Sequence, residues 1–420
     1  MNACSKSSKL RLPADSESRL DAEFNEAICR GVFSGASILI SGGPKPDFFE
    51  RTWGSVESSG DPVTFSTRFD LASLTKPLVT APLCMIAAER GLVNLDDPVS
   101  RFFPTPADKK GITIRNLLSH SSGLPAYERL YPELIKLPPE ARRDALASMI
   151  LETPLDSAPG RRANYSDLGF ILLGLIVERQ MAGRLDRLAR DFLFDPLEID
   201  ELHFCPVEKT DAESLVAAPP RRRVPGSVTY AATENCPWRK RLLFGEVDDK
   251  NAWILNGVSG QAGLFGTARG IFKLLCFLWN IYEGNIMDTS PFERIPASVC
   301  PPPKAAGSPA AAPRRPLWRR ETVRLFWTRT EVAEGTSDWC LGFDTPSRKG
   351  YSSTGRYFSD DTVGHLGFTG VSFWLDLKKR VLVILLTNRV YPTRQNDGIR
   401  QLRPVLHDLI MEALAAEGGR

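Results

Sequence analysis

Ser73-Leu74-Thr75-Lys76 places a hydroxyl and an amine three residues apart, and the S-x-x-K pattern occurs once in the chain. Side chains at i and i+3 share a helix face, so the two can touch. A neutral amine beside a serine can take the hydroxyl proton and turn an inert alcohol into a nucleophile. Such a pair would transfer acyl groups with neither metal nor cofactor. The setting suits it. Phe69 to Ala72 reads as the approach to a helix that Ser73 or Thr75 can cap. Pro77 falls in a first turn, where its missing N–H costs little. Leu78, Leu83, Met85, Ile86 and Leu92 then predict a buried helix, kinked at Pro82.

Outward from the motif, the pattern is strands at both chain ends and helices between. A helix is expected over 20–30, then a hairpin over 36–41 and 48–56 with Gly42-Gly43-Pro44 in the turn. The middle of the chain reads as helical, most clearly at 168–179. Period two returns at 371–376 and 381–387 around a Lys378-Lys379 turn, and a helix closes the chain over 398–416. This order predicts an α+β fold in three αβα layers: one antiparallel sheet built from both ends, flanked by helices, with a mainly helical lobe inserted. The expected division is a flexible tail at 1–18 and a single domain at 19–415. Within it, an α/β lobe takes 19–80 and 320–415 and a helical lobe takes 81–295. Residues 296–316, dense in Pro and Ala, read as a flexible insertion. A cleft between the lobes is where a site would sit.

Composition narrows the function. At 420 residues, 42% hydrophobic and 25% charged, the chain reads as globular. A net charge of +3 gives no reason to expect nucleic acid as a partner. Arg221-Arg222-Arg223 and the arginines at 314, 315, 319 and 320 sit among prolines and read as solvated loops. Eight scattered cysteines without a C-x-x-C pair, and four distant histidines, argue against a zinc site. Residues 1–9 lack the apolar core of a signal peptide, and the longest apolar runs, 170–177 and 381–386, are too short to span a bilayer. The expectation is a cytoplasmic protein with no metal or cofactor, acting on a small molecule or peptide.

A Ser–Lys pair needs a proton shuttle and donors for an oxyanion. Tyr165-Ser166-Asp167, at a loop–helix junction, can supply a phenol. Gly364-His365-Leu366-Gly367-Phe368-Thr369-Gly370 offers a titratable histidine and small residues that let a substrate approach the backbone. In this order the three segments resemble the motifs of the class C β-lactamase and penicillin-binding-protein superfamily of serine hydrolases. His120-Ser121-Ser122-Gly123-Leu124, Gly260-Gln261-Ala262-Gly263-Leu264-Phe265 and Leu386-Thr387-Asn388-Arg389 strengthen the likeness, which covers about residues 20–415. The resemblance implies Ser73 as nucleophile, Lys76 as its base or proton partner, Tyr165 as second shuttle and His365 where many members carry lysine. It further implies an oxyanion hole from the N–H groups of Ser73 and Phe368, beside Gly367. Asp167 would contact the substrate amide and Lys76.

Three residues depart from the pattern. His365 can be neutral, Leu366 replaces a hydroxyl residue, and Asp167 replaces an asparagine and adds negative charge. They point away from β-lactam and D-Ala-D-Ala substrates and towards the esterase and amidase branches. Some amidases there cut muramyl peptides, which gives an ester or amide hydrolase forming an acyl-enzyme on Ser73. The alternatives are a non-catalytic sensor of the same fold, or a β-lactamase or D-Ala-D-Ala carboxypeptidase.

Overall fold

Strand β1 (Gly35–Ser41) is buried along its whole length, as a strand covered on both faces must be. The computed structural model describes residues 10–45, 47–207, 228–285 and 317–418. In it β1 pairs with β2 (Phe48–Gly54) on one side and with the last strand of the chain on the other. The later strands are β3 (Thr362–Leu366), β4 (Ser372–Asp376) and β5 (Val381–Thr387). The antiparallel order β3-β4-β5-β1-β2 joins the two chain ends. Ala36 stands opposite Thr387 and Ser41 opposite Leu382.

Period two sorts the sheet into two cores. Ile38, Ile40, Val383 and Leu385 pack with Leu20 and Phe24 of helix α1 (Ala14–Cys29) and Leu406 and Ile410 of the closing helix (Ile399–Gly418). Leu39, Ile384 and Leu386 face the other way, into the core that holds Ile271, Leu275 and Leu278 of the helix Ala268–Glu283. A one-residue slip of register would exchange the two faces. The result is the expected antiparallel sheet between helices, an α+β arrangement.

The second lobe surrounds helix α2 (Ala81–Glu89) and helix α3 (Asp167–Gln180). Every residue of α3 from Leu168 to Val177 is buried, the pattern of a helix at the centre of a lobe. Ser166 caps it, its hydroxyl accepting the Gly169 N–H at 3.3 Å. The helix Ala268–Glu283 becomes α4 and Ile399–Gly418 becomes α5.

Several expectations need correction. Residues 14–18 are not tail, because α1 starts at Ala14 after Pro13. The stretch 81–295 is not one helical lobe. It contains the short strands Leu202–Phe204 and Leu264–Gly266, which form a three-stranded sheet with Phe69–Asp70, and α4 packs on β1 and β5. The insertion at 296–316 and most of the Arg-rich stretches lie outside the described residues. Among the described residues no helix is long and apolar enough to cross a membrane.

Candidate active site

Asp70 organises the turn that carries Ser73. Its Oδ1 accepts the Ala72 N–H at 2.8 Å and its Oδ2 accepts the Asp248 N–H at 2.7 Å. Ala72 sits at φ 45°, a left-handed conformation that costs a residue with a Cβ roughly 1–2 kcal/mol. Ser73 follows within a 3-10 turn, Ala72–Leu74, and Lys76 opens a π-helical turn, Lys76–Thr80, before α2 begins. The expected single kinked helix is therefore three short pieces, with Pro77 and Pro82 each in a first turn. Neither Ser73 nor Thr75 caps it. The Thr75 hydroxyl donates to Ala72 O at 2.7 Å and accepts the Leu264 N–H at 3.2 Å.

This turn meets the start of α3. Lys76 Nζ lies 2.9 Å from Ser73 Oγ, 2.6 Å from Tyr165 Oη and 2.7 Å from Asp167 Oδ1. Ser73 Oγ and Tyr165 Oη are 2.7 Å apart, and Tyr165 Oη donates to Asp167 Oδ1 at 2.9 Å. A fourth neighbour, Gln261 O at 3.2 Å, arrives on a loop that glycines press onto α3. A Cβ at Gly260 would lie 2.1 Å from Phe170 O and 2.9 Å from Gly174 Cα. An ammonium offers three N–H groups and a neutral amine two N–H groups and a lone pair, so in either state the four oxygens share three positions. As a neutral amine Lys76 can take the Ser73 proton on its lone pair.

Burial sets the direction in which each group shifts. Lys76 is fully enclosed, and burial lowers its pKa from 10.5 against the opposing pull of Asp167. Burial and the Asp167 charge push Tyr165 well above 10. On deprotonation Lys76 therefore loses its proton before Tyr165 does.

His365 does not join this network. It lies in β3, and its Nδ1–H donates to Leu366 O at 2.7 Å. Its Nε2 is buried without a partner, and its ring centre is 6.1 Å from that of Tyr165. Burial and the neighbouring Lys76 push its pKa down to about 3, so it is a neutral imidazole and not the titratable donor the sequence suggests. The end of β3 nevertheless abuts the nucleophile turn. A Cβ at Gly367 would lie 2.9 Å from Leu71 O and 2.3 Å from Val371 Cγ2. Among the described residues, the following Phe368 N–H has no protein acceptor.

Ser73, Tyr165, Asp167, His365, Gly367 and Phe368 line one cavity of about 630 Å³. Much of its wall carries no motif signal: Tyr127, Asp249, Trp339, Asp344 and Arg394; Arg389, from the Leu386–Arg389 phrase, lines it too. His120 was also left without a role. Its Nδ1 accepts the Ser166 N–H at 3.1 Å, and its ring packs 4.8 Å from Tyr165 and 4.4 Å from Trp339. It thereby fixes the phenol against α3. The phrase containing His120 was visible in the sequence, but its purpose depends on packing.

A two-lobed αβα fold with a buried Ser–Lys–Tyr network on a cleft floor is the arrangement of an acyl-transferring serine hydrolase. Comparison with known proteins agrees. The beta-lactamase family model matches residues 19–406. The chain is 28% identical over 333 residues to the N-acetylmuramyl-L-alanine amidase of Bacillus subtilis (strain 168), covering 77% of this chain and 68% of that protein. It is 27% identical over 367 residues to a putative D-alanyl-D-alanine carboxypeptidase of Escherichia coli (strain K12), covering 81% and 75%. Among solved structures, EstCE1, a hydrolase with promiscuous acyltransferase activity, shares the fold at a TM-score of 0.64 and 19% identity, covering 94% and 98%. The chain belongs to the beta-lactamase family and is one of its serine hydrolases.

Proposed function

We propose that this enzyme hydrolyses an amide of a peptide-like substrate through an acyl-enzyme on Ser73. The observation that carries the proposal is the closed triangle of Ser73, Lys76 and Tyr165 on the cavity floor. Neutral Lys76 takes the hydroxyl proton as Ser73 attacks the carbonyl carbon. The oxyanion is held by the N–H groups of Ser73 and Phe368, the kind of contact worth about 3–4 kcal/mol in the transition state. Tyr165, kept protonated, gives its proton to the departing nitrogen and recovers one from the Lys76 ammonium 2.6 Å away. Water then enters, and the same groups run in reverse to release the acid.

The wall beside Ser73 supports an amide. Asp167 uses Oδ1 for Lys76 and Tyr165 and has Oδ2 left over. Asp249 uses Oδ1 for the Ala252 N–H and Gln261. Carboxylate oxygens accept, so they suit the N–H groups of a peptide; burial raises Asp249 to about 6, and above that its charge repels an anion placed next to the scissile bond. A muramyl peptide, of the kind one relative's name indicates, is the substrate class we put first. Incubation with purified muramyl peptides, followed by mass spectrometry of the products, tests it. We expect free peptide from the wild type and none from Ser73→Ala; no release at high enzyme concentration would sink this substrate.

We also place the enzyme in a reducing cytoplasm. What supports this is that the six described cysteines, exposed Cys29 among them, are all free thiols.

A further inference from the structure

The turn from Gly367 to Gly370 carries the Phe368 N–H, and Arg389 takes two of its four carbonyls. Arg389 is buried. Its Nε donates to Phe368 O at 2.8 Å and its backbone N–H to Thr369 O at 3.0 Å. The guanidinium stacks 4.6 Å from the Phe368 ring. Its Nη1 donates to Asn396 O at 3.0 Å, which ties the same fork to the segment after β5. Gly370 lets the side chain come this close: it sits at φ 99°, and a Cβ there would lie 2.8 Å from Arg389 Cγ.

The rest of the turn is held as well. Gly367 O accepts the Gly370 N–H at 3.0 Å, and Gly370 O accepts the Thr387 hydroxyl at 3.1 Å. The Thr369 hydroxyl donates to Asp70 O at 2.7 Å, which joins the turn to the residue that organises the nucleophile. The peptide that bears the Phe368 N–H is planar. Its direction therefore depends on the dihedral angles at Phe368, and Arg389 fixes the peptide plane on their other side.

The choice of residue is informative. Arg394 nearby is paired with Glu234 and Asp248, whereas among the described residues Arg389 forms no ion pair. A buried cation held by carbonyls alone is costly, so stability does not explain it. A planar fork with donors in fixed directions does suit the task of setting a turn. We propose that Arg389 is the positioning residue of the oxyanion hole, holding the 367–370 turn so that the Phe368 N–H points at the oxygen of the carbonyl that Ser73 attacks. The inference rests on the acyl-enzyme reading and adds to it a residue outside the three motifs.

Steady-state kinetics of the full-length protein with para-nitrophenyl acetate and its thionoester test it. Sulfur is larger than oxygen and a weaker hydrogen-bond acceptor, so the ratio of the two kcat/KM values reports how well the N–H groups meet an oxygen. Loss of folded protein lowers both values equally and leaves the ratio unchanged. The wild type should prefer the oxygen ester. Arg389→Gln should lower kcat/KM for that ester by about tenfold or more, chiefly in kcat, and the ratio should fall with it. Arg389→Lys, which keeps one donor for Phe368 O, should give an intermediate ratio. A wild-type ratio near one, a ratio unmoved by both substitutions, or a loss confined to KM overturns the assignment. If Arg389→Gln misfolds, the ratio in Arg389→Lys decides. No ester turnover by the wild type overturns the inference together with the acyl-enzyme reading; turnover with an unmoved ratio overturns the inference alone.

Discussion

Lys76 is held between two opposing influences. Burial lowers its pKa from 10.5, while the Asp167 carboxylate at 2.7 Å raises it, and burial is the larger. If the neutral amine is the working base, kcat/KM on a neutral ester rises with pH along a limb centred below 10.5. Asp167→Asn removes a raising influence, so the midpoint of that limb moves to lower pH. Profiles of both proteins check this, and a midpoint that stays or rises contradicts the assignment. His365, pushed down to about 3, contributes no limb between pH 5 and 9. Ser73, Lys76, Tyr165 and Asp167 could be singled out in the sequence because each lies close to its motif partner on a turn or helix start. The charge of His365 could not, since it depends on the protein packed around β3.

Short elements joined by glycine contacts place these side chains. Gly367 lets β3 touch the nucleophile turn, and a Cβ there would meet Val371 Cγ2 at 2.3 Å and Leu71 O at 2.9 Å. Gly367→Ala should displace the Phe368 N–H and lower kcat/KM by about 10²-fold or more, the loss typical of a missing oxyanion donor. Steady-state kinetics with the neutral ester decide it, and unchanged kcat/KM would remove Phe368 from the oxyanion role. Gly260→Ala acts on stability instead, forcing its loop off α3 at a cost of roughly 1–3 kcal/mol in urea unfolding. An unaltered midpoint would mean that the loop moves freely. The long periodic elements were legible: α3, β4 and β5 fall within a residue or two of their expected limits. The strands Leu202–Phe204 and Leu264–Gly266 were not, because three residues carry no period and pair only with distant partners. The π-helical turn at Lys76–Thr80 was equally hidden, since Pro77 read as part of an ordinary first turn.

Across the whole molecule, the main sheet closes the chain on itself, and Asn388 fastens the closure. Its Oδ1 accepts the N–H groups of Ser34 at 3.1 Å and Gly35 at 3.0 Å, and its Nδ2 donates to Ser34 Oγ and Val56 O. Asn388→Ala leaves two N–H groups at the head of β1 without their acceptor and should cost about 1–3 kcal/mol in denaturant unfolding; no loss would show that water replaces the amide. The sheet from both chain ends was readable in the order of periods along the sequence. The division into lobes was not, because α4 continues the helical stretch in sequence yet packs on the sheet. The account as a whole stands on Ser73 as the acylated residue. Intact-protein mass spectrometry after exposure to a fluorophosphonate probe tests this most directly, with wild type and Ser73→Ala compared and both shown to be folded. One adduct on the wild type, mapped to Ser73 and missing from the variant, is the predicted result. No adduct on the wild type, or equal labelling of both proteins, would contradict it.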